Sequence, residues 1–278
     1  VTLSVSFNRT LPLFPNGTFL QWELAGAVES GSYLASVFRS GSPGGSWDLL
    51  VDSSPDINSF TDRFPLPASP ITTDPNQLSL SRGLFYRVRV VPPSGSSTAA
   101  EIVSAVEPLL TGRQRLVRRK ILRDEYVMLS RLNGVEMAVL KRKHWGQRCP
   151  KCFDPYTGES MRGSCTACFG TTFTGGFFDP IVTWAKRSPV PVQVALSPEG
   201  KAETALTGIT TLDAPAVRDD DLLVFLRDNR RFLVRRVLPT ELRTVTVHQR
   251  LEVSELARSD VLYRVPVDFQ AAPRLFSP

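Results

Sequence analysis

Four cysteines stand at positions 149, 152, 165 and 168, and the chain has no others. They lie in CPKCFDPYTGESMRGSCTACFGTTFTGG, two C-x2-C pairs separated by 12 residues. Two thiolates so spaced sit on one tight turn, where both sulfurs can point at a single ion. Two such turns supply the four tetrahedral ligands that zinc prefers. Asp154-Pro155, Gly158 and Gly163 are turn formers that bring the pairs together. The spacing predicts one structural Zn2+ held by Cys149, Cys152, Cys165 and Cys168. Disulfides, redox chemistry or an iron–sulfur cluster are the alternatives for clustered cysteines. The N-terminal run VTLSVSFNRT lacks the pattern of a signal peptide, and a reducing compartment favours metal over disulfides. Four thiolates close the shell, whereas a catalytic zinc keeps one position open for water. His144, five residues before Cys149, is a candidate substitute ligand. Its alternative is an ordinary polar residue beside Trp145.

Other chemistry finds no support. There is no Walker loop, no G-x-S-x-G and no H-E-x-x-H. His144 and His248 are the two histidines from which any Ser-His-Asp arrangement would have to draw. Asp219-Asp220-Asp221 could suggest a cation site, but adjacent carboxylates do not face one point, so a solvated turn is the expectation. The sequence reads as a non-enzyme.

Of 278 residues, 42% are hydrophobic and 22% charged, an ordinary globular balance. No run is long and apolar enough for a membrane helix, so no membrane partner is expected. Asn8-Arg-Thr10 and Asn16-Gly-Thr18 match the glycosylation triplet, which means little without a secretory signal. The net charge of +6 is concentrated: residues 113–163 hold 13 Lys/Arg against 5 Asp/Glu. Residues 112–133 are expected to form one helix, with Val117, Ile121, Met128 and Leu132 as its apolar stripe, widened by Leu122 and Leu129. Asn133-Gly134 is its expected stop. Arg113, Arg115, Arg118, Arg119, Lys120 and Arg123 give it a basic face. That face has three readings: contact with DNA phosphates, docking on an acidic partner, or plain solvation over the apolar stripe. No aromatic residues interleave with the arginines, which disfavours a stacking single-strand binder.

The rest reads as β, in four segments. Residues 1–107 form an N-terminal β-sandwich, with strands expected at 19–24, 32–38, 47–52, 84–92 and 100–108 and an extended Pro-rich loop at 65–82. Residues 108–140 are the basic helix plus a strand that begins at 135. Residues 141–180 are the knuckle. Residues 181–278 form a C-terminal small β-barrel or sandwich, with strands at 191–196, 221–226, 231–237, 243–251 and 261–267. Asp228-Asn229 is the turn of a hairpin over 221–237.

Trp22 in an early strand, and Tyr86 opening Tyr-Arg-Val-Arg-Val-Val with Val88 and Val90 on its face, resemble fibronectin type III domains. That resemblance implies an adhesive or spacer module and no chemistry. A second resemblance lies over 141–181, in His144, Trp145, Gly146, Cys149, Pro150, Cys152, Asp154, Pro155, Cys165, Cys168, Gly170, Phe173, Gly175 and Gly176. These positions resemble the zinc-knuckle segment of virion structural proteins of tailed bacteriophages. This chain departs from that pattern at Thr172, where the family tends to have glycine. The Asp220/Asp221-Leu-Leu-Val-Phe run and Arg231-Phe-Leu-Val-Arg-Arg-Val237 are similar to head–tail neck proteins. The resemblances imply a virion component at the neck, or head–tail connector, assembled in the host cytoplasm. They also imply a homo-oligomer in a symmetric assembly, with portal, connector or tail-completion proteins as partners. A baseplate or tail-fibre attachment protein shares nearly all these features. A zinc-ribbon nucleic-acid-binding protein is the reading from a different class.

Overall fold

The computed structural model describes residues 3–13, 17–63, 84–95, 98–104, 110–161, 163–193, 206–243, 245–270 and 272–275. The expected loop at 65–82, Asn16, and the ends of the expected strands 100–108 and 191–196 lie outside them. The fold is mainly β, with one α-helix among the described residues. It divides into two compact units. The first takes in Val1–Pro108 and Trp145–Arg148, the second Leu109–His144 and Cys149–Pro278.

The first unit is the expected β-sandwich, built of two antiparallel sheets. β1 (Ser4–Leu13), β2 (Gly17–Ala25) and β5 (Ser59–Arg63) make a sheet in the order β1-β2-β5. β3 (Leu34–Ser40), β4 (Asp48–Pro55), β6 (Phe85–Val91) and β7 (Ala99–Ser104) make the second, in the order β4-β3-β6-β7. Leu20 and Trp22 of β2 lie in the buried interior, and alternation places Tyr86, Val88 and Val90 of β6 there as well. β1 and β5 escape the sequence reading because neither alternates cleanly. β1 carries Pro12 and a register shift between Phe7 and Arg9. β5 is short and polar, and its buried Asp62 is matched inside the core. Tyr86 donates its hydroxyl to Asp62 Oδ2 at 2.8 Å, and Arg39 lies 3.1 Å from the same oxygen. Burial holds the Tyr86 phenol well above its ordinary value.

The second unit centres on a closed antiparallel barrel in the order β10-β13-β12-β11-β8-β9. Its strands are β8 (Val135–Leu140), β9 (Ile181–Gln193), β10 (Leu206–Leu212), β11 (Leu222–Phe225), β12 (Arg231–Leu242) and β13 (Val245–Glu255). Met137, Val139, Ile209, Leu223, Phe232 and Leu251 belong to its filled interior. β11 and β12 form the expected hairpin through Asn229, whose φ of 50° suits an Asn turn. Two expectations are corrected. The C-terminal β region does not begin at 181, because β8, placed in the helix connector, is a barrel strand paired with β9 and β11. Residues 261–267 are not a strand, because Val261–Arg264 form a 3-10 turn. Asp260 caps that turn by accepting from Leu262 N at 2.8 Å, and buried Arg231 donates to the carbonyls of Leu262 and Val265. Those carbonyls are thereby turned to the guanidinium and not to a neighbouring strand.

The basic helix α1 spans Gly112–Met128 and continues as a π-helical turn over Leu129–Asn133, matching the expected extent. Thr111 N–H donates to Gln114 Oε1 at 2.9 Å, which satisfies an orphan donor at the start. Gly134 ends the helix by close approach, since a Cβ there would lie 2.2 Å from the Leu129 carbonyl oxygen. The expected stripe is only partly inward: Leu129 is buried and Ile121 and Leu122 are half-buried, but the other three members are exposed. Arg118 and Leu129 are the buried residues, while Val117, Met128 and Leu132 are 44%, 45% and 77% exposed. An ion pair and not an apolar stripe sets the phase: Arg118 pairs with the fully buried Asp213 and reaches the Thr246 carbonyl. Arg118→Ala strips the guanidinium from a buried carboxylate and is expected to cost about 3–5 kcal/mol. Lys120→Ala on the exposed face is expected to stay within about 0.5 kcal/mol. Denaturant midpoints of the two variants check this, and equal midpoints contradict it.

Candidate metal centre

The four cysteines sit in the connection between two paired barrel strands. β8 and β9 are antiparallel neighbours, with Val139 opposite Ile181, and residues 141–180 join them. Pairing continues outward from the barrel: Phe178 N donates to Lys141 O at 2.8 Å and Lys143 N to Gly176 O at 3.0 Å. Around the knuckle itself the buried cluster consists of the cysteines with Ala167 packed against them, and segments with so small a core are held by metals or disulfides.

Within it the chain folds into two knuckles. Phe153 N donates to Cys149 O at 3.2 Å, and Phe169 N to Cys165 O at 2.8 Å. Each bond closes a turn that carries both sulfurs of one pair. Cys149 N donates to Thr172 O at 2.9 Å, which ties the first knuckle to the second. Asp154 organises the intervening loop: its carboxylate accepts from Tyr156 N at 2.9 Å and from the Thr157 hydroxyl at 3.1 Å. The ligand atoms of Cys149, Cys152, Cys165 and Cys168 all lie within 4.8 Å of one another. Cys149 and Cys165 sulfurs are 3.9 Å apart, Cys152 and Cys168 sulfurs 3.1 Å. All four are free thiols. Both separations exceed the S–S bond of about 2.0 Å.

Burial drives the Cys152 thiol up to about 12 and raises that of Cys168. The backbone N–H groups of Ala167 and Cys168 draw Cys165 down to about 6. Buried thiols on a common centre become thiolates together only with a cation to balance them. The cluster therefore suits one soft metal ion with four sulfur ligands and no fifth side chain. His144 is exposed and stands outside the converging set.

The turn after Cys168 depends on left-handed backbone. Gly170, Thr172, Gly175 and Gly176 have φ of 78°, 70°, 79° and 71°. Thr172 thus stands where a β-branched residue is strained. Thr172→Gly is expected to stabilise the protein by about 0.5–1 kcal/mol, the strain relieved less the added freedom of the unfolded chain. Gly176→Ala is expected to do the opposite, by about 2–4 kcal/mol. It adds left-handed strain to a Cβ placed 2.8 Å from the Cys168 carbonyl oxygen. Thermal melts of the two variants should move in opposite directions.

Trp145–Arg148, directly before Cys149, belong to the first unit. Trp145 is buried edge-on to Tyr33, with ring centroids 5.5 Å apart. Arg148 N donates to the Ser30 hydroxyl at 3.1 Å, and Gly146 adopts a φ of 118°.

The other candidate residues disperse. Arg118 is buried in its ion pair and offers no surface contact, and Arg115 is half-buried. Arg113, Arg119, Lys120 and Arg123 are exposed. The aspartate run is neither a cation site nor simply a solvated turn. Asp221 is buried and accepts from Lys141 Nζ at 2.5 Å, Arg142 N at 2.9 Å and Arg218 N at 2.7 Å. Asp220 pairs with Arg142 at 2.8 Å. The buried Lys141–Asp221 pair has no sequence signal beyond charge, since its members stand in different segments.

No known protein family matches the chain, and no curated protein does. Among solved structures, the archaellum periplasmic stator protein FlaG from Sulfolobus acidocaldarius aligns at 15% identity and a TM-score of 0.22. The alignment covers 37% of this chain and 100% of that one. A similarity of that size carries no argument about fold or function.

Proposed function

We propose that this chain is a non-enzymatic structural component of a tailed-phage virion, at the neck where head joins tail, with its knuckle stapled by one Zn2+. One observation supports the reading: positions of the phage-like pattern act here as structural parts. The four cysteines converge, Trp145 is a buried anchor, Asp154 organises a turn, and Gly146, Gly170, Gly175 and Gly176 occupy left-handed backbone. Zinc fits the donor set, because four Zn–S bonds of about 2.3 Å in a tetrahedron separate the sulfurs by about 3.8 Å. The Cys149–Cys165 separation of 3.9 Å matches that spacing, and the Cys152–Cys168 pair, at 3.1 Å, would have to open to reach it. A closed thiolate shell contributes folding energy and leaves no position for a reacting water.

Two β units of this size offer broad surfaces to neighbours in a symmetric assembly, and portal, connector or tail-completion proteins are the expected partners. Locating the protein in intact particles by electron microscopy tests the reading. Density at the neck supports it, density at the baseplate or a tail-fibre base moves it to that position, and absence from the particle overturns it. The nucleic-acid reading loses Arg118, the residue at the middle of the basic run, to the barrel.

A further inference from the structure

We infer that copies of this chain associate head to tail, the outer face of α1 docking against the β4 edge of the next copy. The charge of the chain is split. Residues 1–108 hold 6 Lys/Arg and 9 Asp/Glu, and residues 109–278 hold 27 and 18, giving net charges of −3 and +9. The positive part presents an unusual helix face. Leu116, Val117, Val127, Met128 and Leu132 are 58%, 44%, 40%, 45% and 77% exposed, far more apolar surface than a solvated helix needs. Arg113, Lys120 and Arg131, also exposed, fall between them at helical spacing, with Asp124 as the acid among them. Phosphates would use the cations and leave the leucines in water, so a protein surface with carboxylates beside apolar groups is the better complement.

The negative part carries one. Among the described residues β4 is an outer strand of its sheet, and on it Asp48, Leu49 and Asp52 are exposed, Leu49 by 51%. Asp52 is fixed by the hydroxyls of Ser36 and Ser53, at 3.4 and 2.9 Å. An outer strand is a natural docking edge. Because the two surfaces differ, the contact is heterologous and propagates into a ring or a filament.

This inference rests on the assembly reading for its purpose, but its test needs no virion component, so the two can fail separately. Sedimentation velocity is run on the full purified chain at about 50 mM and about 500 mM salt, where screening differs strongly. Wild type should self-associate at low salt and at least tenfold more weakly at high salt. Lys120→Glu/Arg131→Glu and Asp48→Lys/Asp52→Lys should each weaken self-association at least tenfold with an unchanged melting transition. Mixed in equal amounts, the two variants should bind each other, because each supplies the surface that complements its partner. A monomer under all conditions, variants that associate like wild type, or a mixture that stays monomeric each overturns the inference. So does loss of duplex-DNA binding in Lys120→Glu/Arg131→Glu with self-association intact, an outcome that assigns the face to nucleic acid.

Discussion

Replacing Cys168 with serine is expected to abolish stoichiometric metal binding and to unfold the knuckle, while the barrel stays folded. The expectation follows from where the knuckle sits. It joins β8 to β9, whose pairing and whose interior cluster contain none of its residues. Its internal order rests on a handful of backbone bonds, among them Cys149 N to Thr172 O and Met161 N to Cys152 O. Structural zinc sites contribute about 10–16 kcal/mol in small peptides, because the folded segment exists only around the ion. Losing even about 4 kcal/mol of that lowers exchange protection about a thousandfold. Amide hydrogen exchange should therefore show Met161, Thr171 and Gly175 losing protection while β11 and β13 keep theirs. A chelator added to wild type should give the same map. Protection unchanged in Cys168→Ser would mean that the knuckle stands without metal.

The second large effect belongs to the barrel. Asp221→Ala is expected to destabilise the protein by about 3–5 kcal/mol. Asp221 is 1% exposed and Lys141 4%, and the carboxylate accepts from Lys141 Nζ, Arg142 N and Arg218 N. Alanine leaves an ammonium in the interior and two backbone donors without this acceptor. A double variant, Lys141→Met/Asp221→Leu, should recover part of the loss, because it removes the charge along with its partner. Urea unfolding of the single and double variants measures both. A double variant no better than the single would place the cost in the backbone donors and not in the stranded lysine.

What was legible in the sequence follows a physical pattern. The cysteine spacing survives intact because ligand geometry is local: each pair is set by one turn, and no distant residue alters which way two sulfurs two residues apart can point. The sandwich strands with clean alternation, those of Trp22 and Tyr86, were legible for the same reason. Where the outcome depended on partners distant in sequence, the reading failed. The phase of α1 is set by Asp213, well beyond the knuckle, so an apolar count along the helix finds Leu129, Ile121 and Leu122 but also takes in the exposed Val117, Met128 and Leu132. β8 reads as part of the connector because the knuckle separates it from β9, its neighbour in the barrel. Residues 261–267 alternate like a strand, yet Arg231 takes two of their carbonyls. Asp221 looked solvated among its neighbours because Lys141, the residue that buries it, precedes the whole cysteine segment.

Metal content of the purified chain tests the central claim most directly. Under reducing conditions, elemental analysis should find one equivalent of zinc per chain, retained through dialysis and lost together with knuckle order on chelation. Fewer than about half an equivalent, with the knuckle amides still protected, would contradict a four-thiolate staple.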